Sequence, residues 1–225
     1  MKARPILMHA RSITNLLASR KTQTRRIIRE QFDLVNGEHF DRAPQPDGSL
    51  AIDTGYGLIR CPYGKPMDLL YVREAWRTYK TLDGTKPRSI AFGAGVQFEA
   101  GGSNVREHDK LLGMGKLRPG IFMPRWASRV TLRLTDVRVE RVQDISEADA
   151  LAEGVTLQDA ATIAEMIEAG GDESDVLTAK ELFEDIWNDT NGAGAWERND
   201  WCWCVAFDCL RENVDAVLQR LKAAV

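Results

Sequence analysis

The stretch Arg129 to Val142 carries the strongest strand pattern in the chain, and its phase reverses partway along. Val130, Leu132 and Leu134 alternate with other residues, then Val137 and Val139 alternate in the opposite phase, so the slip falls at Thr135-Asp136. Side chains of a strand point alternately to two faces, so such a slip calls for a bulge or a bend. A long bent strand belongs in a small barrel-like sheet.

The flanking elements agree with a sheet decorated by helices. Met67 to Trp76 is an apolar run bounded by Pro66 and reads as a core strand whose exit carries Arg73, Glu74 and Trp76. Trp201, Trp203, Val205 and Phe207 alternate with Cys202, Cys204 and Ala206, which makes a closing core strand with the cysteines as small apolar groups on one face. Ile13, Leu16 and Leu17 recur at helical spacing behind Ser12 as N-cap, for a helix ending near Arg20. Ser146-x-x-Asp149 resembles a capping box with Gly154 as the stop, a helix is expected at 160–169, and Thr178-x-x-Glu181 caps another bearing Leu182, Phe183, Ile186 and Trp187. Val214, Val217, Leu218 and Leu221 give a final amphipathic helix for packing or dimerisation.

Two stretches read as insertions: about 30–63 has little sustained periodicity and is punctuated by Pro and Gly, as loops and short hairpins are, and about 78–117 is dominated by glycine and reads as a second mobile or irregular excursion. The element order predicts an α+β class with a small barrel-like sheet, one domain over 1–210 and a C-terminal helix over 211–225.

Composition narrows the function. A net charge of -3 argues against a protein that coats DNA or RNA with its whole surface, because that needs a broad basic face. No apolar run reaches the roughly 20 residues that span a bilayer, and the start lacks the apolar core of a signal peptide, so a cytoplasmic protein without a membrane partner is expected. Cys61, Cys202, Cys204 and Cys209 match no paired C-x-x-C spacing, and His9, His39 and His108 are scattered, so neither a metal nor a cofactor is expected.

Charge is concentrated instead. Five of the ten residues from Arg20 to Arg29 are Lys or Arg, with Thr22 and Thr24 interleaved. From Thr22 the β-branched residues favour a strand, which would place Thr22, Thr24 and Arg26 on one face, with Lys21 at the helix exit. Hydroxyls and cations presented together suit an anionic or nucleotide-like ligand.

The segment Arg20-Lys21-Thr22-Gln23-Thr24-Arg25-Arg26, then Asp68 to Trp76, then Val137 to Val155 with Ser-x-x-Asp-Ala-x-x-Glu-Gly, and finally Trp203 to Phe207, together resemble the ASCH domain of the PUA-like β-barrel superfamily. The likeness covers most of the chain outside the two insertions and the last helix, and is greatest to the longer ASCH proteins of bacteriophages and prophages. It extends to the small bacterial ASCH enzymes that hydrolyse the acetyl amide of N4-acetylcytidine. By position, that resemblance implies a catalytic set of Lys21, Thr24 and Glu153, with Arg26 as the motif arginine. Ser19 and Met67 stand where the pattern has glycine.

For amide hydrolysis Thr24 attacks or positions water, Lys21 acts as base and Glu153 shuttles a proton to the leaving amine. A free lysine titrates near 10.4, so Lys21 needs burial or neighbouring cations to act as a base. Glu74, Trp76, Arg125 and Trp126 complete the expected substrate contacts, with the tryptophans stacking a base. Plainer readings stand beside these: Lys21 and Arg26 bind phosphate or pair with Glu74, Glu153 pairs with a cation, and the tryptophans are core. The expected ligand is a modified nucleoside or nucleobase; RNA or single-stranded nucleic acid bound without reaction, and a ribonuclease of the same fold, are the alternatives.

Overall fold

The computed structural model describes residues 1–29, 41–53, 57–157, 168–170, 172 and 176–223. They form two compact units: unit 1 is Met1–Ser19, Pro62–Asp136 and Phe207–Val225, and unit 2 is Arg20–Cys61 and Val137–Ala206. In chain order the strands are β1 (Ala3–Leu7), β2 (Gln23–Ile27), β3 (Asp41–Pro44), β4 (Leu50–Asp53), β5 (Leu58–Arg60), β6 (Leu69–Arg73), β7 (Trp76–Arg77), β8 (Gln97–Phe98), β9 (Thr131–Arg141) and β10 (Trp201–Leu210). The α-helices are α1 (Ala10–Leu17), α2 (Glu147–Ala152), α3 (Ala179–Asn191) and α4 (Val214–Ala223).

The class is mixed helix and sheet. Its largest sheet has five strands in the order β1-β6-β9-β10-β2, mixed because β1 runs parallel to β6 while β6–β9 and β10–β2 are antiparallel. Strands β1 and β2 terminate the order, so among the described residues the sheet is open and no strand closes it into a barrel. β9 is unbroken over eleven residues, with Thr135 and Asp136 exposed in succession. The phase reversal read from the sequence therefore falls where the chain leaves unit 1 for unit 2.

In unit 1, Val214 and Val217 of α4 pack on Leu69 and Tyr71, so this helix covers the sheet of its own unit. A second cluster gathers Trp76, Ile90, Val96, Phe98, Met123 and Ala127 from the glycine-rich stretch and its borders. Helix α1 begins at Ala10 behind His9, two residues before the expected Ser12 cap, and His9 provides no side-chain cap. The buried stripe of Ile13 and Leu16 fixes this helix; a cap is worth only about 1 kcal/mol and is dispensable here.

Met67, at the entry to β6, has φ 74° and is 54% exposed, and its N–H donates to the Leu134 carbonyl at 2.8 Å. Ser19 is likewise left-handed, with φ 58°. Glycine relieves the Cβ clash of this conformation, worth about 1–2 kcal/mol, but adds about 0.4–1 kcal/mol of unfolded-state entropy. Met67→Gly is accordingly expected to raise the unfolding free energy by about 0.5 kcal/mol, and the β-branched Met67→Val to lower it by about 1 kcal/mol. Urea midpoints that rank Val above Gly would contradict this.

Next to Met67, Asp68 accepts from the Lys2 N–H at 2.6 Å and from Arg4 Nη1 at 2.9 Å. Burial pushes its carboxyl pKa up, yet these donors and the Arg4 charge outweigh burial and hold it below the ordinary value.

Unit 2 closes on Val142, Ile145, Ala150, Phe183, Trp187, Trp196 and Cys202. Helix α3 starts on the complete Thr178–Glu181 capping box, as its sequence announces. Trp201 through Val205 are all buried, so β10 is covered on both faces there, and Cys202 and Cys204 are buried as the alternating pattern suggested. The stretch read as hairpins contains the antiparallel sheet β3-β4-β5, with a turn at Gly48 (φ 76°) where Asp47 accepts from the Ser49 N–H and hydroxyl. Of the stretch where a helix is expected, 160–169, residues 160–167 lie outside the described residues. Among the described residues no helix is long and apolar enough to cross a membrane.

Candidate active site

The local structure around Lys21 follows from two helix ends. Ser146 caps α2 by accepting from the Asp149 N–H at 3.1 Å, and Gly154, with φ 91°, stops the helix just after Glu153. The last carbonyls of a helix have no partners within it. Here the chain entering β2 supplies them: the Thr22 N–H donates to the Ala152 carbonyl at 2.8 Å, and Lys21 Nζ donates to the Glu153 carbonyl at 2.7 Å. The same ammonium donates to Glu153 Oε2 at 2.7 Å. A cation at a helix C-terminus is also favoured by the helix dipole.

This pair is almost out of water, with side-chain exposures of 5% for Lys21 and 6% for Glu153. Burial is the largest influence on Lys21 and lowers its pKa below the ordinary lysine value; Glu153 opposes the shift, while the nearby charges of Arg26 and Arg25 add to it.

Arg25, whose side chain has no exposed surface, stands behind Glu153. Its Nη2 donates to Glu140 Oε2 at 2.6 Å and to Asp149 Oδ2 at 3.3 Å, and its Nη1 lies 3.8 Å from Glu153 Oε1. Arg138 grips the other oxygens of the same acids, at 2.5 Å to Glu140 and 2.9 Å to Asp149. Three cations, Lys21, Arg25 and Arg138, thus balance three carboxylates, Glu140, Asp149 and Glu153. Burial raises the Asp149 pKa, but Arg138 and Arg25 outweigh it and bring the net value down. Cys204, opposite Arg25 in the β10–β2 pairing, is pushed far up by burial and stays a thiol.

Several buried atoms in this region have no hydrogen bond among the described residues: Gln23 Nε2, Arg25 Nε, Arg25 Nη1 and Glu153 Oε1. Strand alternation puts Gln23 and Arg25 on one face of β2 and Thr24 and Arg26 on the other. Thr24 is buried, and among the described residues no hydrogen bond joins it to Lys21 or Glu153. Of the three expected catalytic residues, the fold brings two into contact.

Of the expected substrate contacts, Glu74, Trp76, Arg125 and Trp126 belong to unit 1 and are engaged otherwise. Glu74 is 2% exposed, and both its oxygens accept from Arg129 at 2.9 Å, so the predicted base-reading acid is held by an arginine that the sequence reading passed over. Trp76 has no exposed surface and sits in the apolar cluster with Arg118 over its ring at 5.7 Å, which leaves no face for a stacked base. Arg125 pairs with Asp215 at 2.7 Å and lies over the Tyr71 ring. Trp126 is half-buried, with Phe92 edge-on at 6.0 Å. In unit 2, Arg26 is half-buried opposite Trp203.

Glu140 and Arg138 were also missed, although a signal was present. Both follow the phase reversal in β9, where charged residues take the positions that apolar ones hold earlier in the strand. Compared with known proteins, the chain matches no family model, no curated protein and no solved structure.

Proposed function

We propose that the Lys21–Glu153 pair is the proton-transfer centre of a hydrolase that cleaves an N-acyl amide on a modified nucleoside or nucleobase, of the N4-acetylcytidine kind, in an ASCH domain with a PUA-like arrangement. The observation that carries this reading is a lysine buried against a carboxylate at 2.7 Å with its proton affinity lowered by burial. The order of the motif segments adds support, as do the left-handed backbones of Ser19 and Met67 at the two glycine positions of the pattern.

Neutral Lys21 takes the proton of a water as its oxygen adds to the acyl carbon. Charge then builds on the acyl oxygen, and donors already placed and desolvated stabilise it best. Arg25 Nε, Arg25 Nη1 and Gln23 Nε2 are buried donors of this region with no hydrogen bond among the described residues, and they fill that role. Glu153 relays the proton to the leaving nitrogen, the C–N bond breaks, and the products are a carboxylic acid and the free exocyclic amine.

The test is turnover of a panel of N4-acylated cytidines and cytosines by wild type, Lys21→Ala, Glu153→Ala and Thr24→Ala. Lys21→Ala is expected to lose at least about a hundredfold in kcat, the scale of a positioned general base. Thr24→Ala is expected to retain part of the activity; loss as complete as that of Lys21→Ala would make Thr24 the nucleophile. Because the neutral amine is the active form, kcat should rise with pH through a pKa below the ordinary lysine value of about 10.4. Absence of turnover of every acylated substrate, with RNA binding lost in Lys21→Ala, would instead favour a module that grips nucleic acid without reacting.

A further inference from the structure

Unit 1 carries two adjoining surface grooves in which cations gather without acids. One, of about 300 Å³, is lined by Arg73, Lys86, Arg88 and the apolar Phe122; the other, of about 270 Å³, is lined by Lys116, Arg118 and again Phe122. They also share Pro87, so together they form one continuous track. Elsewhere in this unit arginines grip carboxylates: Arg4 holds Asp68, Arg125 holds Asp215, Arg129 holds Glu74 and Arg133 holds Asp208. None of the five cations in the track forms an ion pair among the described residues.

Arg118 and Arg73 are held by carbonyls and rings and, among the described residues, by no acid, Arg118 lying over Trp76 and Arg73 over Tyr71. Arg118 is 5% exposed and donates to the Leu82 and Thr85 carbonyls, and Arg73 donates to the Ile121 carbonyl. Each of these two arginines keeps a buried Nε with no hydrogen-bond partner. Asp83 is the acid beside Lys116, but it accepts from that residue's backbone N–H. Lys86 and Arg88 flank Pro87 at the start of a short 3-10 turn (Pro87–Ser89), and this fixes the spacing of the two exposed charges. Phe122 is 57% exposed and lines both grooves, so its ring is open to a ligand in the track.

We propose that this track binds single-stranded nucleic acid, with Lys86, Arg88 and Lys116 on successive phosphates and Phe122 stacking an unpaired base. Uncompensated cations call for a polyanion, and a bare aromatic ring between them adds a preference for bases over carboxylates or sulfates. A duplex keeps its bases stacked on one another and cannot use the ring. The site stands apart from the Lys21–Glu153 proposal, since no residue of that pair belongs to it.

Fluorescence anisotropy with labelled 12-mer oligouridylate and oligothymidylate tests it, with a duplex of equal length and polyglutamate as competitors. The single strands are expected to bind and to resist both competitors. Lys86→Ala/Arg88→Ala should weaken binding about tenfold and flatten the log affinity against log salt slope by about 1.4, the contribution of two phosphate contacts. Phe122→Ala should weaken binding about tenfold and leave that slope unchanged. These side chains are exposed, so an unchanged melting temperature verifies folding. Equal competition by polyglutamate or by duplex, or wild-type affinity in either variant, overturns the proposal. Lys21→Ala should bind the oligonucleotides as wild type does, which separates a failure here from a failure of the hydrolase reading.

Discussion

Lys21→Met is expected to lower the unfolding free energy by about 3 kcal/mol, because it leaves Glu153 buried and without its ammonium partner. The cost of breaking a buried ion pair runs to about 3–5 kcal/mol, and the lower figure applies here since Arg25 Nη1 remains 3.8 Å from the carboxylate. Glu153→Leu alone should cost a similar amount by stranding Lys21 at the α2 terminus, although a lysine can shed its proton and moderate the penalty. The double variant Lys21→Met/Glu153→Leu should be more stable than the sum of the single effects allows, with a coupling of about 1–3 kcal/mol. Urea denaturation of the four proteins measures this directly. Additive effects would mean that the two side chains do not form the tight pair described. Activity reads differently: the double variant regains stability but no turnover, since it holds no base.

Trp76→Ala is expected to cost about 3–5 kcal/mol, the range for removing a large buried aromatic from a packed core. The ring has no exposed surface and packs with Ile90, Val96, Phe98, Met123 and Ala127. It also supports Arg118, which lies over it. A residue that stacked substrate would behave in the opposite way, with stability preserved and affinity lost. Thermal unfolding together with the substrate KM of whatever folded protein remains distinguishes the two. A variant with wild-type stability would return Trp76 to the ligand-binding role that its place at a strand exit suggested.

The candidate site was legible in part, and the reason differs from residue to residue. Glu153 was found through the resemblance of its segment to the ASCH pattern, while the serine cap, the acid three residues on and the glycine stop, all local signals, placed it at the C-terminus of α2. Lys21 was found in the concentration of cations between an amphipathic helix and a β-branched run, and its expected role came from the same resemblance. That the two meet depends on residues 132 apart in sequence, and no local pattern encodes such a contact. Arg25 and Glu140 illustrate the same limit. Their charges were visible, but their burial against each other was not, since a charged residue is buried only when a partner from elsewhere in the chain offsets its desolvation.

By itself, the sequence determined the helices with caps, the strands with clean alternation, and the concentration of cations and threonines between α1 and β2. Each of these rests on interactions within a few residues, where spacing fixes which side chains share a face. Tertiary structure alone decided that among the described residues the sheet is open with β1 and β2 at its ends, and that the phase reversal in β9 marks the passage between two units. It alone decided that Glu74 belongs to Arg129 and Trp76 to a core, while Lys21 belongs to Glu153. Pairings of this kind are set by which distant surfaces close over one another and exclude water, and only the folded chain brings those surfaces together.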